Sequence, residues 1–376
     1  MRLTSSPASW MKALLAAAVL AACAIAPLAP GAAPQTPHAQ RAAATYAAMQ
    51  RSFAGDHSLL RDHRSASTSP YAHVWPLSRA LDAGAAMVRL PRARQRYAPD
   101  VRVLLKGLEL YYWNSEAPAG YDSAVRPPLG PGGEQYYDDN AWVGLSLVEA
   151  SRRLGDRVAL LRAEQAFAFV LSGWREGEEY PCPGGVLWKR GDSERSTVST
   201  ATGALLALEL LRQTGKPEYL QQARRLYGWV RRCLRDRQGL YWDNIEVSGA
   251  VDRRRWSYNQ GAMIGAGVLL YRATGERVFL RQAEATARAA IRLYGNRRYA
   301  GEPFSFVAIF FRNLWLLHRA RPNALYVRAI EGYAERQWRS ARQRGSGLFR
   351  RTTAPAPTLI DQASMVTIYA DLAAKP

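Results

Sequence analysis

The sequence predicts an all-α protein whose helices close into an (α/α)6 toroid of six helical hairpins. Three observations predict it. A turn signal recurs at a spacing of sixty: Leu154-Gly155-Asp156, Thr214-Gly215-Lys216 and Thr274-Gly275-Glu276. Five residues after each glycine stands a leucine (Leu160, Leu220, Leu280), and eight after it an alanine (Ala163, Ala223, Ala283). Apolar residues at helical spacing flank each glycine, while strand-like alternation is sparse throughout. A fixed period of this length marks stacked units, none of which can bury its apolar face alone.

Taken in order, residues 1–40 read as an export signal and a short tether. Arg2 and Lys12 flank a polar start, and Ala13 to Leu20 forms the apolar core of a signal. Leu20-Ala21-Ala22-Cys23 resembles the lipobox of bacterial lipoproteins, with Cys23 as the lipidated residue. An ordinary secretory signal cut further on is the other reading. Pro27 to Gln40, rich in Ala and Pro, reads as the tether. The helical domain then occupies 41–376. Ala42–Phe53 is its first helix. Ala72–Met87 and Asp100–Tyr112 form a hairpin around the turn Leu90 to Gln95. The three sixty-residue repeats follow, their glycines ending one helix before the next begins. Ser305–His318 and Asn323–Trp338 make a fifth hairpin. Thr358–Leu372 lacks a following partner and Ala42–Phe53 a preceding one, so the two pair and close the ring. An open solenoid is the alternative architecture.

The chain has 376 residues, 48% of them hydrophobic, with 11 Trp and 19 Tyr. That supplies a large core and aromatic surface to spare. Its net charge is +20, almost all from arginine. The arginines are scattered along helical segments, and no nucleic-acid motif accompanies them, so they read as a solvated outer face. Beyond Cys23 only Cys182 and Cys233 remain. Export permits a disulfide between them, but two thiols do not establish one. The five histidines lack metal-ligand spacing and no phosphate-cradling glycine loop is present. The expectation is a monomer without metal or cofactor, touching membrane only through a lipid anchor.

The stretch Tyr136-Tyr137-Asp138-Asp139-Asn140-Ala141-Trp142 precedes the apolar run Val143 to Ala150. One aspartate there suffices as a helix cap. Two adjacent carboxyls fit glycoside hydrolysis, in which one donates a proton to the leaving oxygen and the other attacks the anomeric carbon. Neighbours at a helix start can hold their carboxyls roughly 5 Å apart, the separation of a retaining enzyme. Like charges so close push one pKa up, leaving an acid beside an ionised nucleophile. The repeat register strengthens this reading. Asp139, Ser199 and Asn259 are sixty apart, as are Asn140, Thr200 and Gln260, which places them on one rim. Tyr136, Tyr137, Trp142, Trp256 and Tyr258 interleave with them. Rings beside amides match the apolar face and hydroxyl edge of a sugar.

From about Ala44 to the C-terminus the chain resembles glycoside hydrolase family 76. The anchors are Tyr137-Asp-Asp-Asn-Ala-Trp142, Gly184-Gly-Val-Leu-Trp188, the Thr214-Gly215 hairpin through Ala223, Gly239-Leu-Tyr-Trp-Asp243, Tyr258-Asn-Gln-Gly261 and Phe306 to Arg312. The resemblance implies an (α/α)6 fold and a retaining double displacement on α-1,6-linked mannose in mannan-type polysaccharide. Asp138 would be the nucleophile and Asp139 the general acid/base. Asp243, Asn259 and Gln260 match positions lining the family's cleft. Trp75, Tyr137, Trp142 and Trp188 are candidate stacking walls, with Asn140 and Tyr258 completing the expected binding set. Two departures stand out: Ser199 where the family carries Asn, and Asn244 where glycine is usual. They keep two alternatives open, transfer of mannose-containing glycans to a sugar acceptor and a catalytically degenerate glycan-binding protein at the cell surface.

Overall fold

The computed structural model describes residues 36–64 and 69–374. The expected signal and Cys23 lie outside these residues. The expected tether ends earlier than Gln40, because helix α1 (Pro37–Phe53) already begins at Pro37. The reason is local: Pro37 has the preset φ of a first helical residue, and the Thr36 hydroxyl accepts the Ala39 N–H.

Twelve α-helices follow one another among the described residues. After α1 come α2 (Val74–Val88), α3 (Arg94–Leu108), α4 (Tyr137–Leu154), α5 (Arg157–Ser172), α6 (Thr197–Thr214) and α7 (Glu218–Cys233). The second half holds α8 (Ser257–Thr274), α9 (Arg277–Arg298), α10 (Phe304–Ala320), α11 (Ala324–Ser340) and α12 (Leu359–Ala373). The even-numbered helices pack in a cycle, α2 on α4, α4 on α6, and so on until α12 meets α2. Each has an outer partner, and α1 covers α12. This is a closed ring of six hairpins, not an open solenoid.

Sequence decides which helix is inner. On α6 every residue from Thr197 to Leu208 is buried, so small and aliphatic residues run all the way round. On α7 the buried set is Tyr219, Ala223, Leu226, Tyr227, Trp229 and Val230, one stripe of an otherwise arginine-rich helix. The hairpin turns work as the repeat predicts. Gly155, Gly215 and Gly275 sit at φ 75°, 74° and 75° and close the preceding helix by donating to Ser151, Leu211 and Tyr271. A Cβ at any of them would meet nothing within 4 Å, so the glycine is required by the left-handed backbone, not by space.

The short turns lie at one end of the ring and the long connections at the other. Those connections carry five two-residue strands: β1 (Tyr112–Trp113) with β2 (Gly120–Tyr121), and a three-stranded antiparallel sheet in the order β3 (Arg195–Ser196), β4 (Asn244–Ile245), β5 (Val251–Asp252). The helix expected over Asp100–Tyr112 is displaced accordingly. It starts at Arg94 and gives way to β1 through a 3-10 turn, Glu109–Tyr111. A disulfide joins Cys182 to Cys233 across 6.0 Å between Cα atoms, tying the connection before α6 to the end of α7.

Candidate active site

Each long connection must enter the next inner helix at a defined height, and one polar residue in the helix's first turn fixes it. Asn140 accepts the Tyr121 N–H at 2.7 Å and donates to the carbonyls of Tyr121 and Tyr136 at 3.0 and 2.8 Å. Gln260 does the same for Tyr241, accepting its N–H at 2.9 Å and donating to its carbonyl at 2.9 Å. Gln362 repeats the grip on Phe349, and Thr200 accepts the Val186 N–H. Asn140 and Gln260 are wholly buried with both amide groups engaged. Both were expected to bind substrate; in the structure their amides are engaged in holding the loops that build the rim.

Asp138 and Asp139 occupy the first turn of α4, partly buried, and among the described residues neither has an arginine or lysine partner. Their environments differ. Burial raises Asp138, but its own N–H, that of Asp139 and the Trp188 side chain donate to it and pull it back, while the charge of Asp243 raises it again. Burial also raises Asp139 well above the carboxylate range, and the adjacent Asp138 charge adds to that without an opposing hydrogen bond. Both carboxyls are therefore raised, Asp138 less than Asp139, so the pair gives up its first proton at Asp138. Asp138 Oδ1 is enclosed and has no hydrogen-bond partner.

Around the pair the connections supply walls. The Tyr137 N–H donates to the Trp188 carbonyl at 2.9 Å, which seats the exposed Trp188 ring beside Asp138 and 5.0 Å from the Tyr136 ring. On the far side Tyr258 packs at a tilt against Phe306, ring centres 4.0 Å apart, and Phe306 also meets Trp256 at 5.5 Å and Trp75 at 6.2 Å. Asp243 takes Asn259 Nδ2 on one oxygen and Trp256 Nε1 on the other, each at 3.0 Å. Burial raises its pKa more than those donors lower it.

Six expected residues therefore gather here: Asp138, Asp139, Asp243, Trp75, Trp188 and Tyr258. Others do not reach the cleft. Tyr137 is buried with its ring stacked on Phe169 at 4.9 Å, and Gly173 lies close beneath it, so it packs α4 against α5. Trp142 is buried with Val198 and Ile309, forming an apolar floor across the ring axis. Asn259 is closed to solvent and donates to Asp243, while its own Oδ1 has no partner. Ser199 is likewise buried, and its hydroxyl accepts from Ser196 at 2.8 Å.

Two residues were not anticipated. Phe306 is the third residue of α10, the same register as Asp139 and Asn259, but α10 starts at Phe304, 47 residues after α8 starts at Ser257. Counting by sixty steps past it. Glu194 lies next to β3, accepts Asn244 Nδ2 at 3.1 Å, and is pushed up to about 7 by burial and then by Asp192 and Asp243. A carboxylate in a polar loop carries no signal that could have marked it.

Comparison with known proteins agrees with this fold. The chain is 26% identical over 186 residues to the mannan endo-1,6-alpha-mannosidase DCW1 of Candida glabrata, covering 45% of this chain and 41% of that protein. It therefore spans about two fifths of the length of that curated relative. Its fold superposes on the family 76 mannosidase Bt3792 of Bacteroides thetaiotaomicron with a TM-score of 0.81 at 23% identity, covering 90% and 98% of the two chains. An inactive variant of the α-1,6-mannanase GH76A of Salegentibacter, with two neighbouring aspartates changed to asparagine and α-1,6-mannotriose bound, gives 0.75 at 20%, covering 89% and 99%. Residues 39–353, most of the toroid with its carboxylate rim, match glycosyl hydrolase family 76, and the chain belongs to that family.

Proposed function

We propose that this protein is a retaining glycosidase that cleaves α-1,6-linked mannose in mannan-type polysaccharide. The observation that carries the proposal is the unequal pair at the start of α4. Burial raises both carboxyls, but Asp138 has two backbone N–H groups and the Trp188 side chain drawing it back and Asp139 has no such donor, so Asp138 is the first of the pair to ionise and Asp139 keeps its proton longer. In the first step Asp138 attacks the anomeric carbon while Asp139 gives its proton to the departing glycosidic oxygen. A covalent mannosyl ester and a shortened chain result. In the second step Asp139, now ionised, takes a proton from water, which displaces Asp138 and restores both groups.

The walls suit the substrate class. Trp188 and Trp75 present rings to apolar sugar faces, and Asp243 and Glu194 offer acceptors for hydroxyls. DCW1 is named a mannan endo-1,6-alpha-mannosidase and the Salegentibacter enzyme an α-1,6-mannanase, whose variant changed at two neighbouring aspartates is inactive. The Cys182–Cys233 disulfide supports export, since such bonds persist in oxidising compartments. Lipidation at Cys23 is the anchoring reading that goes with it.

The test is digestion of linear α-1,6-mannan followed by nuclear magnetic resonance at the earliest time points. Newly released reducing ends should appear as the α-anomer before mutarotation. Initial β-anomer, or no reducing ends from any α-mannan, overturns the proposal.

A further inference from the structure

Below the floor of Trp142, Val198 and Ile309, the ring encloses a second space of about 180 Å³ that runs toward the short-turn end. Arginines stand in its walls among apolar side chains such as Leu205, Leu269 and Leu316. Arg79 and Arg312 stand at mid-height, and Arg89, Arg152, Arg212, Arg272 and Arg319 ring the end where the inner helices terminate. Four carboxylates face them: Asp82, Glu149, Glu209 and Asp371.

The pairing leaves cations over. Arg89 is paired with Asp371, Arg152 with Glu149 and Arg212 with Glu209. Arg79 and Arg312 share the single Asp82 oxygen Oδ2, at 2.7 and 2.8 Å. Arg272 and Arg319 have no carboxylate within 4 Å among the described residues. Seven guanidiniums thus face four carboxylates, an excess of three positive charges.

A helix end attracts cations by itself, and that accounts for single arginines in the last turns of α4, α6, α8 and α10. It does not account for Arg79, in the second turn of α2, or for Arg312, midway along α10. Arg79 is only 8% exposed and its Nε has no partner. Two guanidiniums on one enclosed carboxylate leave a net charge in a low-dielectric space, which is costly unless an anion neutralises it.

We infer that this axial cavity binds a phosphoryl group, taken either as free orthophosphate or as the phosphate of a sugar phosphate. The guanidinium fork matches the paired oxygens of a phosphoryl group better than a point charge does. The small volume, open at the short-turn end, excludes a polymer chain, and the floor of Trp142, Val198 and Ile309 lies between it and the carboxylate rim.

The experiment is thermal unfolding and isothermal titration of the intact protein with orthophosphate, with a hexose 6-phosphate, and with chloride or free hexose at matched ionic strength. Both phosphates should raise the unfolding temperature saturably, and chloride and free hexose should not. A hexose phosphate that binds tenfold tighter than orthophosphate identifies the sugar phosphate as the ligand; equal affinities identify the free ion. The variant R272Q/R319Q removes two exposed, unpaired arginines and so should fold as the parent does. It should bind phosphate at least tenfold more weakly. No shift beyond chloride in the parent, or an undiminished shift in the variant, overturns the inference.

Discussion

Asn259 in the first turn of α8 donates its side-chain N–H to Asp243 across 3.0 Å, so the carboxylate after α7 is held by a residue that is itself closed to solvent. The other Asp243 oxygen takes the Trp256 indole N–H at 3.0 Å. An amide at position 243 can satisfy only one of these donors. Asp243→Asn should therefore lose about 1.5 kcal/mol of positioning, roughly tenfold in kcat/KM, with the unfolding temperature little changed. Michaelis kinetics on a mannan oligosaccharide alongside calorimetry would check it. Parent-level kcat/KM would show that Asp243 has no part in the cleft.

Replacing the two acids separately should give different residual activities. Asp138→Asn removes the attacking oxygen and should abolish turnover on every substrate. Asp139→Asn removes the proton donor and should cost about 10²–10⁴ in kcat on mannan. An aryl mannoside whose leaving group needs no proton should recover most of the first step in Asp139→Asn alone. Equal rescue of both variants would mean the roles are assigned the wrong way round.

The same pair sets a pH dependence. Both carboxyls are raised above the ordinary value near 4, so kcat/KM should rise to its plateau well above pH 4, as Asp138 ionises, and fall once Asp139 loses its proton. The linked effect on stability has the opposite sense to that of a salt-bridged acid. The native state keeps protons that the unfolded chain releases near pH 4, so stability falls as pH rises from that value through the native pKa values. Asp139→Asn removes one such proton and lessens that loss. Its unfolding temperature should gain on the parent between pH 4 and pH 7, and a constant difference across that range would contradict the assigned shift.

Asn140 tests the distinction between building a rim and binding a sugar. Asn140→Ala strips the Tyr121 N–H and carbonyl of their partner in a closed site, which should cost about 2–4 kcal/mol of stability. Denaturant unfolding should show this shift. At a temperature where the variant is folded, KM should change by less than about threefold. A KM rise of tenfold or more with stability intact would return Asn140 to the substrate-binding set.

Much of this was legible in the sequence because the physics behind it is periodic. Glycines at 155, 215 and 275 must end helices, and the helices between them have one outcome for burial, so the ring and the Asp138–Asp139 rim follow from spacing. What spacing could not resolve was direction. Asp139 and Asn140 are neighbours at one helix start, yet one stays partly exposed at the rim and the other turns inward to hold Tyr121. Successive residues of a helix differ by about 100° in direction, and only the packed neighbours decide which of them sees solvent. Aromatic residues hide the same ambiguity: Tyr137 and Trp188 look alike as sugar platforms, but Tyr137 is spent on Phe169. The axial arginines were visible only as scattered charge, since their convergence exists only once the ring has closed.

The connection that carries Trp188 depends on two anchors far from the carboxylates. Arg195 is fully buried and donates to the carbonyls of Pro181, Cys182 and Gly184 at 2.9–3.0 Å, while Cys182 is bonded to Cys233 at the end of α7. The cross-link spans 51 residues, for which the chain-entropy model gives about 4 kcal/mol at most. Cys233→Ser should therefore lower stability by about 2–4 kcal/mol. It should also loosen the loop that brings the Trp188 side chain to Asp138, raising KM for long mannans more than for short ones, because a stacking wall acts on sugars on either side of the cut. Reduction of the parent with dithiothreitol should reproduce both effects, and Cys233→Ser should then be insensitive to it. Stability lost with KM unchanged for every chain length would confine the disulfide to holding the fold.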